Sequence, residues 1–289
     1  MQEIGSNILV TTDYPGVNVG AIVSDQGIVA VDAPTVPAHA LDWFARLRQR
    51  TGQPIRYLVL TDYHIDRTLS AHLLETPVVC HEKTEVRLAG YESRFPALLL
   101  DTLALRYDVA RRDLNGALVV RPQISFGGAM AIQCGQQTVQ LVHRPSATSG
   151  SIWVLVTDSK VLFSGDSVVV NQHPNLSEAE SAPWLAALDS LAANELGSCL
   201  IVPGRGPLCE SSAAIPIAEF IRCARERVLA LYGAGRPRAD TTALVTELLG
   251  AFPSDSANRE WLLRQLKTGL DHLYDEIKGA DPARRGEPV

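Results

Sequence analysis

The chain has 289 residues, of which 46% are hydrophobic and 20% are charged. This length suffices for one large domain or two small ones, and the composition supports a sizeable core and excludes a disordered chain. The net charge of −6 argues against nucleic acid or an anionic membrane as the main partner, because either would need a clustered basic surface.

Targeting and membrane segments are not visible in the sequence. No apolar run approaches the ~20 residues of a membrane span, and residues 1–6 lack the basic and apolar regions of a signal peptide. The five cysteines are odd in number and scattered, which is typical of reduced thiols. We therefore expect a cytoplasmic protein with no membrane or nucleic-acid partner.

The first half of the chain mixes strands with helices. Apolar periodicity and turn residues predict strands at 8–12, 17–24 and 27–31, a helix at 37–49, a strand at 56–60, a short helix at 68–74, a strand at 77–80 and a mostly helical or irregular stretch at 82–112. The turn at 24–27 should join the second and third strands as a hairpin.

The second half of the chain again mixes strands with helices and then becomes helical. The same signals predict strands at 129–134, 138–142, 151–156 and 161–164, a helix at 182–193, a short strand at 199–202, and helices at 213–232, 241–249 and 258–277. Strands with helices in each half fit an α/β (α+β) fold, a four-layer αβ/βα sandwich with active-site loops at strand ends along one edge.

Five ordered segments carry a family resemblance. Residues 61–67 read T-D-Y-H-I-D-R and follow a buried-type strand. This loop resembles the metal-binding loop H-x-H-x-D-H of the metallo-β-lactamase-fold hydrolases. Four further segments match that family over roughly residues 6–210: the hairpin at 18–32, P-S-A-T-S-G-S at 145–151 against P-G-H-T-P-G-S, L-F-S-G-D at 162–166, and P-G-R-G-P at 203–207 against P-G-H-G-P.

The resemblance implies a binuclear zinc centre, but most of the implied ligands are replaced. The first metal would take the positions of Asp62, His64 and Ala147, the second those of Asp66, Arg67 and Arg205, and Asp166 would bridge the two. Only His64, Asp66 and Asp166 keep the family's residue type. We therefore expect a divergent member in which the binuclear centre is lost and Ala147 marks a degenerate ligand position.

The two arginines suggest what replaces the lost charge. A guanidinium group is permanently cationic and cannot ligate a metal. We predict that Arg67 pairs with Asp66 and Arg205 with Asp166 as a charge centre, since unpaired buried carboxylates would be costly. The alternative is that both arginines point to solvent.

Two kinds of chemistry remain open for the carboxylates and the histidine. Asp62, His64 and Asp166 could hold a single Zn²⁺, Mn²⁺ or Fe²⁺, and His143 is a conceivable further ligand although it should lie on the preceding strand. Without metal, His64 paired with Asp66 or Asp62 could act as a general base, with the two arginines clamping an anion. The alternative for His64 is a hydrogen-bonded loop residue.

We therefore predict a metallo-β-lactamase-like domain at residues 1–212, a helical C-terminal extension packed on it at 213–278, and a frayed tail at 279–289. The expected function is a divergent hydrolase-like protein acting on or binding a small ester, lactone, thioester or amide. The alternative is an inactive pseudoenzyme that binds a small anion or a protein. Loops 82–121 and 170–183 should set specificity, and the apolar stripe of the last helix favours packing within the chain over a homodimer.

Overall fold

The computed structural model describes residues 1–193, 195–253 and 259–280. Two mixed sheets form its centre. The first contains seven strands in sequence order: β1 (Gln2–Gly5), β2 (Ile8–Thr11), β3 (Val19–Ser24), β4 (Gly27–Val31), β5 (Ile55–Val59), β6 (Val78–His81) and β7 (Ile124–Phe126). Strands β1 to β4 pair antiparallel, and β4 to β7 pair parallel.

The second sheet contains five strands in the order β12-β11-β10-β9-β8. They are β8 (Ala129–Cys134), β9 (Gln137–His143), β10 (Ile152–Val156), β11 (Val161–Val169) and β12 (Leu200–Arg205). The pairing is antiparallel except between β11 and β12. Those two parallel strands end side by side, so their C-terminal residues meet at one edge.

Eight α-helices cover the sheets or extend the fold in the described residues. They are α1 (Pro37–Thr51), α2 (Ile65–Thr68), α3 (Glu82–Ala89), α4 (Ala97–Tyr107), α5 (Ser181–Ala193), α6 (Ala214–Gly233), α7 (Thr242–Leu249) and α8 (Arg259–Ala280). The sequence sets both ends of helix α1. Pro37 begins the helix, and Gly52 ends it in the left-handed conformation, where its backbone N–H donates to the Arg48 carbonyl.

Three apolar clusters define four layers. One lies between the sheets and joins Ile22 and Val29 of the first with Val154 and Phe163 of the second. Another packs α1 and α4 on the outer face of the first sheet. The third packs α5 and the C-terminal helices on the outer face of the second sheet. The predicted four-layer αβ/βα architecture is confirmed.

Several element boundaries differ from the sequence-based expectation. The short helix expected at 68–74 is instead α2, ending at Thr68, and a separate 3₁₀ turn at Ala71–Leu73. Strand β11 continues to Val169 rather than stopping at 164. Gly165 permits this, because its φ is +53° and a Cβ atom there would lie 2.8 Å from Thr61 Oγ1.

The C-terminal helices pack on the domain through their apolar faces. The buried stripe of α8, which includes Leu266, Leu270 and Leu273, belongs to the same cluster as Trp184 of α5. The stripe therefore packs within the chain. Helix α8 continues to Ala280, so residues 279 and 280, which were assigned to the predicted tail, are helical. Asn258, the expected first residue of this helix, and residues 281–289 lie outside the described residues.

Within the described part of the chain, no helix combines the length and apolar character that crossing a membrane requires.

Candidate functional site

The candidate site lies where four strands of the two sheets end. Asp32 follows β4, Asp62 follows β5, Asp166 lies in β11 and Arg205 ends β12. All four side chains are buried. Parallel strands end at the same edge, which is why residues far apart in the sequence meet here.

Arg67 of α2 is the centre of the site. Its side chain has 0% exposure and contacts three carboxylates. Nη1 donates to Asp32 Oδ2 at 2.7 Å, and Nη2 donates to Asp166 Oδ1 at 2.5 Å. Nε lies 3.0 Å from Asp62 Oδ1, but its N–H is not directed at a hydrogen-bond partner. We treat this third contact as an ion pair without a hydrogen bond.

Asp32 is surrounded by hydrogen-bond donors. Burial raises the pKa of Asp32 above its ordinary value, although the charge of Arg67 and two hydrogen bonds from Thr61 oppose that rise. The Thr61 N–H and hydroxyl donate at 2.8 and 2.7 Å, and Arg67 supplies the third hydrogen bond. Three donors thus converge on the two oxygens of Asp32, an arrangement that suits an acceptor group.

Arg205 links the remaining two carboxylates. Its Nη2 donates to Asp66 Oδ2 at 2.6 Å and to Asp166 Oδ2 at 3.0 Å, and its Nε donates to Asp166 Oδ2 at 3.2 Å. Its Nη1 donates to the Gly16 carbonyl and to the Tyr107 hydroxyl at 2.5 and 2.6 Å. All the nitrogens of this guanidinium group therefore have acceptors.

Asp66 is surrounded by donors on one oxygen only. Besides Arg205, Tyr107 donates to Oδ2 at 2.7 Å and Arg106 at 3.1 Å. Its Oδ1 is buried and has no hydrogen-bond partner among the described residues. Burial raises the pKa of Tyr107, so its hydroxyl keeps the proton that it donates.

The arginine pairing differs in part from the prediction. Arg205 pairs with Asp166, as expected. Arg67 pairs with Asp32, Asp62 and Asp166 instead of Asp66, which pairs with Arg205 and Arg106. The physical reason is that 66 and 67 are successive residues of α2, and successive helical residues do not face each other.

These ion pairs predict acid sensitivity. Burial alone would raise the pKa of Asp66 and of Asp166. The charges of Arg205 and Arg106 outweigh burial at Asp66, and those of Arg205 and Arg67 outweigh it at Asp166. The pKa of each carboxyl therefore lies below the ordinary value of 3.8. A lowered folded-state pKa stabilises the fold above the unfolded value, and that stability is lost as pH falls below it. We expect the free energy of unfolding, measured with urea and circular dichroism, to decline steadily below about pH 4. A flat value down to about pH 3 would contradict the ionised network.

His64 is a partly exposed member of the site. Its side chain has 15% exposure, and Nδ1 lies 3.2 Å from Asp62 Oδ2 and 3.7 Å from Asp166 Oδ2. The side-chain amide of Asn175 lies 3.2 Å from Nε2. Burial lowers the pKa of His64, but the charges of Asp62 and Asp166 raise it by more, so it lies above the ordinary 6.5.

Asp62, His64 and Asp166 form a possible metal site. One ligand atom from each lies within 4.8 Å of the others. The set offers one nitrogen and two carboxylates, which suits a divalent transition metal. His143 is not part of this group: it ends β9, stacks on His81 with ring centroids 3.6 Å apart and contacts Ser149 O at 2.8 Å.

Ala147 is buried among apolar side chains. It has 0% exposure and belongs to the apolar cluster on the outer face of the second sheet. A histidine at this position would have to displace packed apolar side chains.

Sequence reasoning missed the partners Arg106, Tyr107 and Asn175. Arg106 and Tyr107 end helix α4, whose other residues are mostly apolar, and Asn175 follows β11. All three fall inside the loops predicted to set specificity, 82–121 and 170–183. Their position in these two loops was the signal that the sequence offered. Nothing in the local pattern indicates which polar residue of a loop turns inward.

A cleft lies on the side of Tyr63, the residue that precedes His64 in the chain. Its volume is about 430 Å³, and Tyr63, Lys83, Arg87 and Ser149 are among its lining residues. The rings of Tyr63 and His64 are 6.2 Å apart. Tyr63 therefore connects this cleft to the charged site.

Comparison with known families identifies the class of protein. Residues 13–204 match the model of the metallo-beta-lactamase superfamily. Together with the two-sheet fold, this match shows that the chain belongs to that superfamily. A comparison with curated protein sequences found no match.

Solved structures with the same fold are distant in sequence. A metallo-beta-lactamase family protein from Thermus thermophilus is 17% identical, with 94% of each chain covered and a TM-score of 0.65. A metallo-beta-lactamase from Pontibacter korlensis is 18% identical over 76% of this chain and 97% of that one, with a TM-score of 0.60. A stereoselective inverting sec-alkylsulfatase from Pseudomonas sp. is 15% identical over 99% of this chain and 52% of that one, with a TM-score of 0.70. These likenesses concern the fold.

Proposed function

We propose that this chain is a divergent hydrolase-like member of its superfamily that works without a binuclear zinc centre, with the Asp62–His64 pair as its general base. The observation that carries the proposal is the position of His64. Like Arg106, it is a partly exposed group of a buried charged network, and its Nδ1 is held by Asp62 at 3.2 Å.

A binuclear zinc centre does not fit the side chains at this site. Arg67 donates to one oxygen of Asp166 and Arg205 to the other, so two permanent cations occupy the bridging carboxylate. Neither guanidinium group can act as a ligand. Asp66 Oδ1 has no hydrogen-bond donor in the described part of the chain and could still accept a bond. A second ion at this position would also need a nitrogen ligand, and Arg205 stands at the position of that ligand.

The network is close to charge balance without a metal ion. It contains four carboxylates and three guanidinium groups joined by ion pairs. With His64 neutral and every carboxylate ionised, the excess is one negative charge. A divalent cation would turn that excess into one positive charge, so the network does not need an ion for charge compensation.

The Asp62–His64 pair offers acid–base chemistry on its own. A carboxylate that accepts from Nδ1 orients the imidazole and stabilises its protonated form. The opposite nitrogen, Nε2, accepts from the Asn175 amide in the resting site. It could take a proton from a water or hydroxyl that attacks a carbonyl carbon once that group replaces the amide as its hydrogen-bond partner. The Asn175 amide released in this exchange is a suitable donor to the oxyanion formed in that attack.

The substrate that fits this chemistry is a small ester, lactone, thioester or amide. The cleft of about 430 Å³ has the ring of Tyr63 and the cations of Lys83 and Arg87 on its wall, and the Tyr63 ring lies 6.2 Å from that of His64. Exposed Glu180 and Glu178 pair with these cations at 3.3 and 2.5 Å. Because exposed pairs are weak, a ligand could displace them.

Metal content tests this proposal. Protein purified without an affinity tag or chelator should contain less than about a tenth of an equivalent of transition metal by plasma mass spectrometry. Hydrolysis of a panel of esters, lactones and thioesters should survive chelation. About one equivalent of metal that is lost in His64→Ala, together with activity lost on chelation, would instead establish the single-metal site at Asp62, His64 and Asp166.

The second candidate function is a pseudoenzyme that binds a small anion or a protein. The observation that favours this function is that the guanidinium groups of Arg67 and Arg205 already donate to carboxylates, a carbonyl and a hydroxyl of the protein. Such donors are typical of a purely structural network. With Arg67 fully buried, an anion would have to bind at the cleft instead. Ligand binding without turnover across the whole panel would favour this function.

A further inference from the structure

We propose that the C-terminal helical extension is part of the candidate site, and that Asn175 is the positioning residue through which the extension fixes the imidazole of His64. The inference deepens the proposed function by giving the general base its direction, and to that extent rests on it. Its spectroscopic test does not require turnover.

The orientation of the Asn175 amide follows from its neighbours. Its Oδ1 accepts the backbone N–H of Ser177 at 3.0 Å. A backbone N–H can only donate, so the oxygen must face it and Nδ2 must face His64. Nδ2 in turn can only donate, so Nε2 of His64 at 3.2 Å is an acceptor.

The other ring nitrogen agrees with this assignment. Nδ1 of His64 faces Asp62 Oδ2 at 3.2 Å, and Asp62 Oδ1 accepts the backbone N–H of His64 at 2.8 Å. A carboxylate can only accept, so the ring proton lies on Nδ1 and the lone pair on Nε2. The side chains of Asp62 and Asn175 thus define the roles of both ring nitrogens.

The segment that carries Asn175 is attached to the C-terminal extension on both sides. Before it, His173 Nε2 contacts the Leu249 carbonyl of α7 at 3.0 Å. After it, Leu176 packs against Gly269 of α8, where a Cβ atom would lie 2.8 Å from the Leu176 Cβ. His272 Nε2 also contacts the Ala179 carbonyl at 2.8 Å.

A further attachment follows at the start of α5. Glu276 of α8 accepts from the backbone N–H and the hydroxyl of Ser181 at 3.0 and 2.6 Å. Helices α7 and α8 therefore hold residues 173–181 at four points, and Asn175 projects from this segment onto His64.

The extension reaches the opposite half of the site as well. The guanidinium group of Arg106 lies 4.3 Å from the ring centroid of Trp261 in α8, and its Nη1 pairs with Asp66 at 3.1 Å. A cation–π contact of this kind fixes the plane of the guanidinium group. The helical extension thus touches the site at both ends, through Asn175 and through Arg106.

The test uses the ring nitrogen signals of His64 in the full chain, recorded by long-range ¹H–¹⁵N NMR. Because the pKa of His64 lies above the ordinary 6.5, the pH is raised from about 8 until these signals stop changing and the ring is neutral. We expect the Nδ1-protonated tautomer in the wild type, and a shift of the Nε2 signal in Asn175→Ala with little change at His72 or His81. The Nε2-protonated tautomer in the wild type, or an unchanged Nε2 signal in Asn175→Ala, would overturn the assignment.

A matched pair of glycine variants tests the role of the extension. Gly269→Ala should reproduce the His64 shift, because the added methyl group collides with Leu176. Gly279→Ala lies in the same helix, where a Cβ atom meets nothing within 4 Å, and should leave His64 unchanged. If Gly269→Ala is poorly folded, Glu276→Ala takes its place. If the His64 signals are unchanged in the folded Gly269→Ala or Glu276→Ala variant, the link to the extension is overturned, even if Asn175→Ala shifts the Nε2 signal. Neither result depends on turnover, so a failure of the proposed catalysis is distinguishable from a failure of this inference.

Discussion

Replacing Arg67 with methionine is expected to lower the free energy of unfolding by about 3–5 kcal/mol, the usual cost of breaking a buried ion pair from one side. The side chain has 0% exposure and contacts Asp32, Asp62 and Asp166. Methionine has a similar shape but no charge, so these carboxylates would remain buried with fewer donors. Urea unfolding followed by circular dichroism measures the loss directly.

The control for this variant is Arg87→Ala, which breaks the exposed pair of Arg87 with Glu178. Exposed pairs contribute about 0–1 kcal/mol, so the two variants should differ severalfold. A loss below about 1 kcal/mol in Arg67→Met would mean that the carboxylates take up protons or water at little cost. That result would remove the argument that guanidinium groups stand in for metal charge.

Replacing His64 with alanine is expected to reduce turnover of a hydrolysed substrate by about 10²–10⁴-fold, the range for a lost general base. The effect should fall on kcat, because the imidazole acts on the attacking water or hydroxyl. Asp62→Asn should also slow the reaction, since Asp62 holds Nδ1 at 3.2 Å. Steady-state kinetics on the best substrate of the panel provides the measurement.

His72→Ala serves as the matched control, because its Nδ1 contacts only the Leu69 carbonyl among its described hydrogen bonds. Its kinetics should equal those of the wild type. If His64→Ala keeps its rate while the fold is intact, the base assignment is wrong. If no variant or wild type turns over any substrate but all bind the same ligand, the pseudoenzyme function is the better account.

The residues at strand ends illustrate how far the sequence could lead. Asp62, His64 and Asp66 were identifiable because they follow a buried-type strand within a recognisable pattern. Asp166 and Arg205 were identifiable for the same reason in later segments. Their meeting point followed from the fold that the pattern implied, because strand ends lie along one edge.

Contacts made by long side chains were not accessible in the same way. Arg67 was expected to pair with its neighbour Asp66, but the geometry of α2 turns the two apart. Arg106 and Asn175 come from segments with no local signal of inward orientation. Their direction depends on Trp261 and Gly269, residues that lie roughly a hundred or more positions away in the chain.

Through its resemblance to a known family, the sequence by itself predicted the superfamily and the four-layer fold, and it placed Asp62, Arg67, Ala147 and Arg205 where that family has histidine ligands. The tertiary structure decided which carboxylate each guanidinium group contacts and how the C-terminal helices reach His64. Those outcomes depend on distances between elements far apart in the chain, and a charged pair forms only where packing brings its partners within about 4 Å.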